Sequence, residues 1–253
     1  MDWTNGPPSG AALGWLLAAA LAGGLARGFS GFGAAMIFIP LASIAVGPQR
    51  APPLMLVLEV LALVSLTPGA WRQANRSEVG WLALGAAFGT PLGAAALVAA
   101  DPLVLRWAIS LLILALLALL VSGWRLRGHP GRPVTVGFGV AGGVLGGLAM
   151  LSGPPAMAYL LGRGDPARQV RANFGLYLSA GAGFAAIAYA VAGLFDRSLA
   201  LPFLLTAPGY GFGIWIGSRM FGLASERAFR LSCYLMIAAA ALLSLPLWDG
   251  VLH

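Results

Sequence analysis

The stretch Arg27–Pro40, RGFSGFGAAMIFIP, and its later counterpart Ala141–Pro155, AGGVLGGLAMLSGPP, decide how this chain is read. Each lies inside an apolar run too long for one crossing of a bilayer. The first run covers residues 11–46. As a single helix it would be about 54 Å long, against a hydrocarbon core of about 30 Å. Gly28, Gly31 and Gly33 weaken a helix in its middle. The second run covers 134–161 and carries five glycines and two prolines in the quoted stretch. Pro154 and Pro155 cannot continue a helix without losing backbone hydrogen bonds. Both runs therefore predict two short helices joined by a break. The breaks are expected at Ser30-Gly31-Phe32-Gly33 and at Ser152-Gly153-Pro154.

Outward from these stretches, six more apolar blocks follow near 51–70, 79–100, 103–122, 170–195, 198–222 and 227–247. Of the 253 residues, 59% are hydrophobic and only 9% charged. Soluble domains carry roughly 25% charged residues, because their surface must meet water. The expectation is an all-α polytopic membrane protein, with residues 1–253 as a single membrane domain. The net charge is +7, from 15 basic and 8 acidic residues, and every basic residue is arginine. These charges fall in the short gaps between blocks, where they act as topology signals and not as a nucleic-acid surface. The N-terminus MDWTNGPPSG has no basic n-region, so no cleaved signal peptide is expected. One cysteine, Cys233, allows no internal disulfide, and no metal-ligand spacing is present. His129 and His253 fall outside the blocks, and no Walker loop follows a strand. No cofactor, nucleotide-driven pump, enzyme active site or nucleic-acid partner is expected.

The chain also matches itself. Gly28, Gly31, Pro40 and Gly47 align with Gly143, Gly146, Pro155 and Gly162 at an offset of 115. Arg50-Ala51 matches Arg171-Ala172 at 121, and Gly89, Gly93 and Arg106 match Gly213, Gly217 and Arg230 at 124. This predicts a repeat over 11–122, a linker at 123–133 and a second repeat over 134–247.

Arginine placement sets the direction of each half. If every block crossed once, six arginines would face one side and eight the other, which is no bias. If the two long runs each go in and return, one side gathers Arg72, Arg76, Arg125, Arg127, Arg132, Arg163, Arg168, Arg171, Arg219, Arg227 and Arg230. The other keeps Arg50, Arg106 and Arg197. That 11-to-3 split is the ordinary positive-inside pattern. It puts the linker in the cytoplasm and both termini outside. Each half is then a broken-helix hairpin plus three transmembrane helices, so the two repeats have inverted topology. Inverted repeats with interrupted helices are a recurrent design of secondary transporters, with substrate near the midplane between the halves.

GFSGFGAAMIFIP, GGVLGGLAMLSGPP, GTPLGAAAL and GFGIWIGSRM together resemble the sulfite exporter TauE/SafE family over roughly residues 14–245. The family pattern is a glycine-rich run ending in a proline, once per half. Ala34 and Ala35 replace usual glycines, and Leu148, Ala149 and Met150 replace most of the second run. The family's Thr-Ser pair has become Pro52-Pro53 and Asn173-Phe174. The resemblance implies transport of a small sulfur-containing anion, sulfite or an organosulfonate, across a bacterial inner membrane. The alternatives are an anion channel, or a transporter of another small sulfur-containing or carboxylate solute.

A broken helix leaves amide groups that must be satisfied by protein, water or ligand, and an anion suits them. Ser30, Gly31 and Gly33 at the first break, and Ser152 and Gly153 at the second, are therefore candidate substrate contacts. The competing reading makes these glycines close-packing positions. Arg27, deep in an apolar block, is a candidate for the anion's charge, or else pairs with an acid. Glu59, the acid well inside a span, is the proton-coupling candidate or a structural partner of Arg27. Coupling to protons or to sodium stays open. Asn173 begins block six as an anion contact or a helix cap, and Tyr177 shares its helix face four residues on. Trp81, Trp107, Trp124 and Trp248 lie near block ends and read as interface anchors in the lipid bilayer.

Overall fold

The computed structural model describes residues 10–30, 33–124, 126, 128, 130–220 and 226–248. Gly31, Phe32, Arg125, Arg127, His129 and His253 from the sequence reading lie outside the described residues, as do the side chains of Ser30, Arg227, Arg230 and Trp248. Among the described residues there are ten α-helices and no strand. They are α1 (Gly10–Ser30), α2 (Ala34–Val46), α3 (Ala51–Gln73), α4 (Arg76–Ala99), α5 (Pro102–Ser122), α6 (Arg132–Ala149), α7 (Gly153–Gly162), α8 (Ala167–Val191), α9 (Ala200–Met220) and α10 (Glu226–Leu243). Six helical stretches among the described residues are long and apolar enough to cross a membrane. Phe88, Ile187, Val191, Leu204 and Leu235 are more than half exposed. Large apolar side chains presented outward on so many helices are those of a polytopic protein solvated by acyl chains.

Each long apolar run is two helices, as its length and glycines predict. Gly33, at φ 87°, turns the chain into α2 in a conformation that only glycine adopts without strain. Between α6 and α7 the turn falls just upstream of the expected position. Met150 is left-handed at φ 54°, with its amide returned to Gly146 O at 2.8 Å and that of Leu151 to Leu145 O at 3.1 Å. Gly153 and Pro154 are not in the break but open α7, with Ser152 before them. Proline suits a first helical turn, where its missing N–H has no intrahelical use.

The chain forms two compact units. One comprises residues 1–55, 100–118 and 195–253. Within it α1 packs on α9 so closely that a Cβ on Gly24 would lie 2.3 Å from Tyr210 O, and one on Gly28 2.2 Å from Ile214 O. From the other side, a Cβ on Gly213 would meet Leu21 O at 2.6 Å and one on Gly217 Leu25 O at 2.3 Å. Several turns of this unit gather at one end. Gln49 Nε2 donates to Ala100 O at 3.4 Å, and Arg106 Nη2 to Ser244 O at 3.1 Å. In the turn before α9, the Ser198 hydroxyl holds the Asp196 carboxyl below its usual range, helped by the Ser198 amide and the charge of Arg50.

The other unit comprises 56–99 and 119–194. Its seam is α4 on α6. A Cβ on Gly85, Gly89 or Gly93 would stand 2.2, 2.2 or 2.1 Å from the carbonyl oxygens of Val136, Val140 and Val144. Reciprocally, Gly139, Gly143 and Gly147 face Leu82, Ala86 and Thr90 oxygens at 2.2, 2.6 and 2.1 Å. Glycines four apart on both helices remove the side-chain layer and let backbones touch. The turns at one end of this unit are tied together. Gly128 N donates to Gly162 O at 3.1 Å, Leu126 N to Ala158 O at 3.4 Å, and Arg168 Nε to Gln73 Oε1 at 2.7 Å. Arg132 stacks over Trp81 at 5.2 Å. Had residues 134–161 crossed once, the turns before and after them would stand a bilayer apart. Instead the bonds from residues 126 and 128 to 158 and 162 bring the start of α6 and the end of α7 to one end, so the run folds as a hairpin whose second arm is the 10 residues of α7, about 15 Å.

Candidate functional site

The α6–α7 break faces one side of α8. Asn173 and Tyr177, one turn apart on α8, are both fully buried. Asn173 lies in the second turn of α8, so it does not cap its own helix. Its Oδ1 accepts from Asn75 N at 2.7 Å, and its Nδ2 has no partner. Tyr177 Oη has none either. A Cβ built on Gly142 would come within 2.3 Å of that hydroxyl and 3.5 Å of Ser152 O, so glycine there makes the space the phenol occupies. Ser152 makes no side-chain cap bond to α7, and its Oγ is what a Cβ on Gly146 or Gly181 would meet, at 3.6 and 3.9 Å. The phenyl edge of Phe174 lies 3.5 Å from where Gly153 would carry a Cβ. A buried polar atom left unpaired costs about 1–3 kcal/mol. Two of them one turn apart on one helix make this part of α8 the candidate site.

The far face of α8 is anchored by polar contacts to α3. Thr67 and Ser179 hydroxyls bond at 2.7 Å, and Ser179 Oγ donates to Gly175 O at 2.9 Å. Tyr189 Oη donates to Gly147 O at 2.8 Å, joining α8 to the last turn of α6. These contacts fix the rotation of α8, and with it the direction in which Asn173 and Tyr177 point.

The other predicted contacts are placed as follows. Arg27, in the last turn of α1, and Glu59, in α3, are both 7% exposed. Gly33 has open space around it. Pro154 and Pro155 carry no N–H, so the start of α7 offers an anion fewer amides than a helix N-terminus ordinarily does. Donors must come from side chains as well. Among the described residues no three His, Cys, Asp or Glu side chains come together as a metal site requires.

Two features escaped the sequence reading. Asn75 orients Asn173 through its backbone N–H, while its own Oδ1 accepts from Glu78 N at 3.2 Å. The Asn75-x-x-Glu78 spacing of a helix start was the available signal. The second feature is a polar cluster closing the hairpin's end. Arg163 Nη1 meets Glu78 Oε1 at 3.0 Å, and its Nε meets Asp165 Oδ2 at 3.0 Å. Tyr159 Oη donates to Glu78 and lies 2.7 Å from Thr135 Oγ1. Five residues from α4, α6, α7 and the turn after it are thereby joined. No motif spacing announces such a cluster, because its members are brought together only by the return of α7.

A family model described as Sulfite exporter TauE/SafE matches residues 16–244. Neither the curated proteins nor the solved structures contain a match to this chain.

Proposed function

Because the chain belongs to the sulfite exporter TauE/SafE family, whose members are membrane transporters and not enzymes, we propose that it is a secondary transporter that moves a small sulfur oxyanion, sulfite or an organosulfonate, by alternating access. The observation that carries this reading is the pair of buried, unpartnered groups one turn apart on α8, Asn173 Nδ2 and Tyr177 Oη. An anion with several acceptor oxygens satisfies both at once. Ser152 and Gly153 at the α6–α7 break are proposed as further contacts, and Ser30, Gly31 and Gly33 stay the proposed contacts of the other unit. Arg27, buried in the other unit, stays a candidate for an anion's charge, with pairing to an acid as the alternative.

We also propose the inverted-repeat topology, in a bacterial inner membrane with both termini outside. In one unit the turns bearing Arg76, Arg132, Arg163 and Arg168 share an end. In the other, Arg50 and Arg106 belong to the turns that gather at its end. Both groupings support the 11-to-3 distribution of arginines. In the cycle the two hairpins would shift so that the site opens to each side in turn.

The test is a thermal-shift screen of the purified full-length chain against sulfite, sulfate, thiosulfate, methanesulfonate and taurine. A ligand at a hundred times its Kd stabilises the folded state by about 2.7 kcal/mol. At least one sulfur oxyanion should raise the unfolding temperature, and Arg27→Ala should blunt that shift. No shift with any of them would remove the reading. Saturating flux in liposomes fits the transporter, whereas unitary currents would make the chain a channel. If Glu59 carries a coupling proton, flux through Glu59→Gln loses its pH dependence; unchanged pH dependence assigns Glu59 to structure.

A further inference from the structure

We infer that the α8 site favours fully deprotonated oxyanions, so that a sulfonate binds more tightly than an oxyanion of the same shape and charge that keeps a proton. This rests on α8 being the substrate site, as proposed above. The argument starts from Asn75. A backbone N–H can only donate, so the Asn173 atom 2.7 Å from Asn75 N is the oxygen, and the amide cannot be turned round. Asn75 is itself held, because its side chain caps α4 through Glu78 N. The single acceptor of Asn173 is therefore consumed. What remains is Nδ2, two N–H donors with no acceptor in reach, in a side chain with no exposed surface.

One turn along, the Tyr177 hydroxyl is equally buried and unpartnered. Its proton is available to a ligand oxygen. An R–SO3 group presents three acceptor oxygens and no hydrogen, so once α8 shifts to admit it, it takes both donors without asking either side chain for an acceptor. A monoprotonated oxyanion of the same charge still has two bare oxygens for these donors, but its O–H needs an acceptor, and Asn173 has none left to give. Turned toward Asn173, its O–H opposes hydrogen to hydrogen. Turned toward Tyr177, it makes the phenol an acceptor and takes away the donor that would have met the anion. With both side chains shut off from water, neither mismatch is repaired by solvent. Sites built to hydrogen-bond one partner reject an analogue with the wrong hydrogen in this way. Asn173 is thus the specificity-determining residue, and the Asn75 amide is what positions it.

The experiment compares methanesulfonate with methylphosphonate on the full-length protein at mildly acidic pH. Both are then monoanions of nearly the same size, and only the phosphonate retains an O–H. Titrated thermal shifts should show methylphosphonate binding at least about tenfold more weakly. Asn173→Asp, nearly isosteric, puts an acceptor where the amide nitrogen was and should shrink that ratio. Equal binding of the two anions by the native chain overturns the inference and leaves the substrate site standing. Binding of neither, with no response to the other sulfur oxyanions, removes the site and the inference together. An unchanged ratio in Asn173→Asp takes the discrimination away from Asn173. Should that variant not fold, the comparison on the native chain still decides.

Discussion

Gly89→Ala and Gly147→Ala are each expected to lower stability by about 3 kcal/mol, the upper part of the usual range for overpacking. In both, the new methyl would stand against backbone, 2.2 Å from Val140 O and 2.1 Å from Thr90 O. No rotamer change relieves such a contact. The α4–α6 seam must open along its length, and each opened step loses dispersion contacts that lipid replaces only in part. Gly80→Ala and Gly137→Ala are the controls on the same two helices. Neither methyl would have a neighbour within 4 Å. Both should raise stability by up to about 1 kcal/mol through helix propensity alone. Unfolding temperatures of the four variants in one detergent make the measurement. If Gly89→Ala behaves like Gly80→Ala, the close seam is not what holds α4 to α6.

The same glycines show how much was legible in the sequence. Gly28 matches Gly143 at an offset of 115, while Gly89 and Gly93 match Gly213 and Gly217 at 124. In one unit Gly28 faces α9, which carries Gly213 and Gly217; in the other Gly143 faces α4, which carries Gly89 and Gly93. The internal match is thus a match of contact surfaces, which supports the proposed duplication. The sequence also told where each long run breaks, because proline and glycine act on the backbone locally. It misplaced the second break slightly, since proline is as good at opening a helix as at ending one. Asn173 and Tyr177 were legible as a polar face four residues apart on an apolar helix. Asn75, Gly142 and the Glu78–Tyr159–Arg163 cluster were not. Their importance comes from which residues face them across the fold, and one-dimensional spacing carries no such information.

Tyr177→Phe should move stability and binding in opposite directions. The Tyr177 hydroxyl is buried without a hydrogen-bond partner, in the space that Gly142 leaves. Removing it takes away an unsatisfied polar group, worth about 1–3 kcal/mol, and leaves a void smaller than a methyl group that returns part of this. The net expectation is a ligand-free variant about 1 kcal/mol more stable than the native chain. The anion, however, loses a donor. A hydrogen bond to a charged group is worth about 1.5–3 kcal/mol, so affinity for the stabilising sulfur oxyanion should fall by at least about tenfold. Two unfolding curves, without ligand and across an anion titration, read both effects on one sample. Residues kept for function at a cost in stability give this crossed result, whereas a core tyrosine kept for packing does not. A Tyr177→Phe variant that is less stable and binds the anion as well as the native chain would place the phenol among the packing residues of α8, and the proposed site would have to be sought elsewhere.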